Sequence, residues 1–155
     1  MEKFYGKKFA REVDVLNKLG TVTLNGTAYK AFQCGGVDFR KIVNGKVKTI
    51  DGISIWFPKN FKQAAETDEI TNIMYKDKIE EFGRPRPQKR HYSWDRDARR
   101  LDEGKKSCRI VFVKLPNESD YSYAGTYELR DYDFSKNRPV MVWERCKDDV
   151  KLDTI

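Results

Sequence analysis

Three dipeptides, Asn25-Gly26, Asn44-Gly45 and Asp51-Gly52, fall between short apolar runs in the first part of the chain. Two-residue hairpin turns need positive φ angles to match the twist of their strands, and Asn-Gly and Asp-Gly supply those angles at little steric cost. A chain punctuated this closely has no room for long helices there and must pair its strands locally. The spacing predicts strands near 21–24, 27–33, 39–43, 46–50 and 53–57.

Ahead of them, Phe9, Val13, Leu16 and Leu19 recur at helical spacing and Gly20 stands where a left-handed cap belongs, which predicts a helix over 5–19. Behind them Pro58 stops the last strand, and Asn60 can cap a helix beginning at Phe61, with Gln63 as a weak capping-box partner. Ala64, Ala65, Ile70, Ile73, Met74 and Phe82 then suggest helical structure over 61–82, up to Gly83. From 84 to 106 Arg-Pro-Arg-Pro leads into dense mixed charge, which reads as a long basic loop. Strands return at 108–114, 121–130 and 139–146, within an expected strand region of 107–147. The middle one alternates, with Tyr121, Tyr123, Gly125, Tyr127 and Leu129 on one face. The expectation is a single α+β domain over 1–155, a strongly curved antiparallel or mixed sheet or small β-barrel with two or three flanking helices.

Charge narrows the partner. Lys and Arg number 31 against 24 Asp and Glu, a net charge of +7, and a 39% hydrophobic content is too high for a disordered chain. A folded basic protein has a polyanion as its default partner. No apolar run approaches the roughly 18 to 20 residues of a membrane span, and Met1–Lys8 lacks the apolar core of a signal peptide, so a cytoplasmic location away from membranes is expected. Cys34, Cys108 and Cys146 lack zinc-ligand spacing and read as reduced, mostly buried thiols.

Most of the excess charge sits in one segment. Arg84, Arg86, Lys89, Arg90, Arg96, Arg99, Arg100, Lys105, Lys106 and Arg109 face only Asp95, Asp97, Asp102 and Glu103, leaving +6 of the net +7 between 84 and 109. Arginine grips phosphate through a planar fork and stacks on bases, so the nine cations from Arg84 to Lys106 are the candidate phosphate-binding residues. Within the same run, His91-Tyr92-Ser93-Trp94-Asp95 adds stacking rings and hydrogen-bonding groups for a base edge. The plainer alternative is that Tyr92 and Trp94 anchor the loop to the core while the acids pair with neighbouring arginines.

The second half also carries Trp94, then Arg109-Ile110-Val111-Phe112-Val113-Lys114, then Tyr121-Ser122-Tyr123-Ala124-Gly125-Thr126-Tyr127, then Arg138-Pro139-Val140-Met141-Val142-Trp143. This pattern resembles the domain of unknown function at the C-terminus of some bacterial restriction-associated helicases. It is more distantly similar to the PUA-like superfamily, which includes SRA-type readers of modified DNA. The residues themselves show no catalytic constellation, cofactor motif or metal-ligand set, so a non-catalytic binding module is expected. The resemblance implies that a base is turned out of the helix into an aromatic-lined pocket. Matched to this chain, Tyr92, Ser93, Trp94 and Asp95 would stand at that pocket, and Trp56 would be either its second wall or part of the core. DNA is favoured over RNA, and a restriction or defence system is the implied context.

Two other readings stay open. One is a phage- or element-encoded inhibitor that binds a host defence protein. The other is a small metal-dependent nuclease using Asp38 or Asp51. Asp38-Phe39-Arg40 has arginine, and Glu144-Arg145-Cys146 cysteine, where such a nuclease needs lysine. Gly35-Gly36 fits a turn better than a phosphate loop, since no helix follows it. Glu80 with Glu81, or Glu66 with Glu69, reads as solvated carboxylates on a helix surface, and His91, the one histidine, as a hydrogen-bonding group.

Overall fold

The computed structural model describes residues 4–24, 26–33, 37–61 and 63–146. In chain order the elements are β1 (Lys8–Phe9), α1 (Glu12–Leu19), β2 (Thr21–Leu24), β3 (Thr27–Gln33), β4 (Val37–Val43), β5 (Lys46–Trp56), β6 (Thr71–Met74), β7 (Lys78–Phe82), α2 (Tyr92–Asp102), β8 (Cys108–Val113), β9 (Tyr121–Asp133) and β10 (Val140–Arg145). Pairing runs β2-β3-β4-β5-β8-β9-β10-β7-β6, with β1 added against β9, so the fold is α+β on one mixed sheet whose path is open rather than closed into a barrel. Among the described residues only β5 and β8 run parallel.

The sheet carries a core on each face, and β8 shows why. Side chains alternate along a strand, so Ile110 and Phe112 enter one cluster with Phe4, Phe9, Val15, Leu19 and Phe39, beneath α1. Val111 and Val113 enter the other with Ile79, Trp94, Tyr127, Leu129, Met141 and Trp143, beneath α2. A strand covered on both sides reads as an unbroken apolar run, and every residue of β8 is buried.

Several expectations are corrected. Helix α1 begins at Glu12, where Arg11 N–H donates to Asp14 Oδ2 at 3.2 Å, and not at residue 5. Phe9 instead belongs to β1, opposite Tyr121. Asp51-Gly52 is no turn: β5 runs straight through it. Thr49 faces Arg40 and Ser54 faces Asp38, so residues 50–53 stand against Phe39 alone in a wide bulge. Gly52 is required there, because its φ is +86° and the Arg100 guanidinium and Lys106 carbonyl occupy the space a Cβ would need. Asn44-Gly45 does form a hairpin turn, with φ of 51° and 76°. Asn25, Cys34 and Gly35-Gly36 lie outside the described residues.

The helical expectation over 61–82 gives way to one short 3-10 turn, Ala64–Glu66, followed by the β6–β7 hairpin. Ile70, Ile73 and Met74 suited helical spacing, but β10 offers β7 an antiparallel partner, and a strand's stability comes from such neighbours. The basic loop, conversely, contains α2: Trp94, Ala98 and Leu101 fall four and three residues apart on its inner face, a stripe hidden by the surrounding charge. Tyr121 and Tyr123 do not share a face with Tyr127 and Leu129. The register slips where Val111 meets Gly125 and Phe112 meets Tyr123, and a one-residue slip reverses the faces. Gly125, at φ +128°, accommodates the bend. Among the described residues no helix is long and apolar enough to cross a membrane.

Candidate nucleic-acid interface

Arg109 is the one charge in the apolar run of β8, and it is only 8% exposed. Burying a guanidinium is unfavourable unless partners surround it, and here they come from four elements. Its Nη1 donates to Glu81 Oε1 on β7 at 2.9 Å, and Asp97 Oδ2 on α2 lies 3.9 Å from Nη2. Its guanidinium carbon is 3.9 Å from the Trp143 ring centre on β10 and 4.5 Å from that of Trp56 on β5. Trp143 Nε1 donates to the same Glu81 oxygen at 3.3 Å. The cluster therefore locks α2 to the sheet at a defined height. Tyr132 O–H, donating to Asp102 Oδ2 at 2.7 Å, ties down the far end of the helix.

Above the cluster lies a hollow of about 250 Å³ at the N-terminal end of α2. Trp56 and Tyr92 supply rings. Ser54, Ser93, Asp38, Asp97 and Glu81 supply hydrogen-bonding groups, and Arg96 and Arg109 positive charge. Asp38 is held by Arg40 Nη2 at 3.2 Å. Arg96 Nε is buried 3.5 Å from Asp97 Oδ1 and makes no hydrogen bond among the described residues. A second hollow of about 280 Å³ adjoins the first across Ile70, His91 and Trp94 and is lined by Arg84, Lys89 and Arg90. His91 caps α2, its ring accepting from Ser93 N–H at 3.2 Å. The first turn of a helix carries unpaired N–H groups and partial positive charge, which adds to these cations in favouring an anion.

Residues 12–152 match the family model of the SET and RING associated domain, SRA. The chain belongs to the SRA family. No curated protein matches it. Among solved structures, "The 5-Hydroxymethylcytosine-Specific Restriction Enzyme AbaSI" is similar, with a TM-score of 0.46 and 22% identity over 90% of this chain. This SRA chain spans 38% of the length of that one.

Four of the five expected pocket residues, Trp56, Tyr92, Ser93 and Trp94, line the first hollow of this SRA domain. Asp95 does not: it points outward and accepts from Arg90 Nη2 at 2.8 Å. The two rings nearest in sequence differ in kind. Trp94 is 4% exposed, wedged against Gly83 and Phe134, so it anchors α2 and forms a wall, whereas Tyr92 is 63% exposed. Of the expected phosphate binders, Arg84, Lys89 and Arg90 gather at the second hollow and Arg96 at the first. Arg99 and Lys106 are exposed outside both.

Arg90 also engages Asp95 and the Phe134 ring, and the remaining three bind the protein itself. Arg86 donates to the Phe134 carbonyl, Arg100 turns inward to Ser107 Oγ and the Lys106 carbonyl, and Lys105 pairs with Glu103 at 3.2 Å. Glu81, expected on a solvated helix surface, is buried on β7 beside Arg109. The signal for that cluster was visible as an arginine inside an apolar strand, but nothing local marks its partners. Asp38 reaches the hollow, while Asp51 is exposed in the β5 bulge. Among the described residues no group of three or more His, Cys, Asp or Glu is placed to hold a metal. Cys108 is a buried free thiol, and burial, the largest cause, pushes it up to about 12.

Proposed function

We propose that this SRA domain is a non-catalytic DNA reader that takes one nucleobase, rotated out of the duplex, into the hollow over Arg109. The observation that carries this reading is the meeting in one place of ring walls, hydrogen-bonding groups and cations. At about 250 Å³ the hollow lies near the lower edge of small-molecule sites, ~300–1,000 Å³, a scale suited to a single base. Tyr92, exposed at the rim, stacks on the base, with Trp56 as the opposite wall. Ser54, Ser93 and Asp38 address its edge, while Arg84, Lys89 and Arg90 hold the phosphates on either side of the rotated nucleotide. Extrusion lets an added group on the base be inspected from all sides, and membership of the SRA family supports a modified base as the one read. A restriction or defence setting is part of the same proposal.

Fluorescence anisotropy with duplexes containing cytosine, 5-methylcytosine or 5-hydroxymethylcytosine at one position tests it. One modified duplex should bind more tightly than the plain one. The logarithm of affinity should fall with log salt by about 0.9 per phosphate neutralised. Absence of binding to every duplex at low salt would end the reading.

A further inference from the structure

The β4–β5 hairpin leaves the body of the sheet. The β3 ladder reaches β4 only as far as Arg40, and β8 joins β5 only from Ile53, so residues 41–48 form a two-stranded ribbon, exposed along its whole length. Its two sides differ. Lys41 stands directly opposite Lys48, and Lys46 opposite Val43, on one side; Ile42 stands opposite Val47 on the other, 71% and 60% exposed. Like charges directly opposed across a strand pair are destabilising, and two exposed β-branched side chains gain nothing from water. Residues 27–50 hold five cations, Lys30, Arg40, Lys41, Lys46 and Lys48, against the single anion Asp38, which Arg40 engages. Among the described residues no ion pair compensates Lys41, Lys46 or Lys48, whereas a polyanion would.

We infer that this ribbon is a second DNA-binding element, an arm that enters a groove of the duplex beside the base-reading hollow. The inference rests on the proposed reading of that hollow. A two-stranded ribbon fits the major groove, about 12 Å wide. Lysines on one side meet phosphates, and Ile42 and Val47 make apolar contact with thymine methyl groups on the groove floor. The two sites are physically continuous: Asp38, at the hollow, and Asn44, at the ribbon tip, are ends of one extended strand and turn, separated by about 20 Å at roughly 3.3 Å per residue. That reach is within one turn of a duplex. The arm thus fixes the register of the DNA while the hollow inspects one base.

The test is a salt titration of the three duplexes named above with the wild-type chain, with the triple variant Lys41→Ala/Lys46→Ala/Lys48→Ala, and with the corresponding triple arginine variant. The alanine variant should weaken binding to all three duplexes alike, lower the salt slope by about 2 to 3 at 0.9 per lost contact, and preserve the ratio of modified to plain. The arginine variant should restore the slope. An unchanged slope and affinity in the alanine variant would overturn the arm and leave the hollow's role standing. Lost discrimination by a wild type that still binds strikes the hollow alone. If Ile42→Asp abolishes self-association of the chain and leaves DNA binding intact, the ribbon is an interface between copies and the inference fails.

Discussion

The two faces of the sheet are built from the same strands and packed by opposite rules. Under α1, Phe4, Phe9, Phe39, Phe57, Ile110 and Phe112 make a wholly apolar interior, with Phe4 and Phe112 edge to face at 5.0 Å. Under α2, the interior contains Arg109, flanked by the Trp56 and Trp143 rings and paired with Glu81 and Asp97, and the surface above them stays hollow. The apolar face gains stability from each buried ring. A buried ion cluster gains little over an apolar replacement and loses heavily if broken. The contrast teaches that the α2 face is organised around position rather than stability: it holds polar groups rigidly beneath a space.

The largest effects should separate these rules. Phe112→Ala should destabilise by about 4 kcal/mol through cavity formation, measured by urea denaturation, while the folded fraction keeps its DNA discrimination. Arg109→Met should cost about 3 kcal/mol by stranding Glu81 and Asp97. The combined change Arg109→Met/Glu81→Leu/Asp97→Leu should recover most of that stability and still fail to distinguish modified from plain duplex. Were the combination as unstable as Arg109→Met alone, the two faces would not differ in the way described.

Smaller changes sharpen the same comparison on the α2 side. Trp56→Ala should weaken binding to the modified duplex by about 1 to 3 kcal/mol, the range for a lost base–aromatic stack, and an equal loss for plain and modified DNA would place Trp56 among structural residues only. His91→Ala removes the cap of α2 and should cost about 1 kcal/mol of stability, with a matching drop in helix signal by circular dichroism. A silent His91→Ala would mean that the Arg109 cluster alone positions the helix.

The legible parts of this protein were those where a local rule is sufficient. Asn44-Gly45 announces its turn because the pair tolerates positive φ whatever surrounds it. The apolar run of β8 announces a strand covered on both faces. The gathering of Tyr92, Ser93 and Trp94 at one hollow was within reach because rings beside arginines in a basic segment favour a nucleic-acid site, whereas Trp56, at a strand end, read as readily as core. By contrast, the same Asp-Gly chemistry at Asp51-Gly52 became a bulge, since Arg100 and Lys106 close over Gly52 from a segment far along the chain. The residues 71–82 became a hairpin because β10 was there to pair with it.

By itself, then, the order of residues determined the strand-rich class, the turn at Asn44-Gly45, the concentration of positive charge between 84 and 109 and the rings within it. Only the tertiary structure decided which arginines face the hollow and which, like Arg86 and Arg100, are consumed holding the protein together. It alone brought Glu81 from β7 and Asp97 from α2 to Arg109. The physical reason is range: φ preferences and side-chain period act over a few residues, whereas the compensation of a buried charge is settled by whichever distant strand or helix the packing delivers beside it.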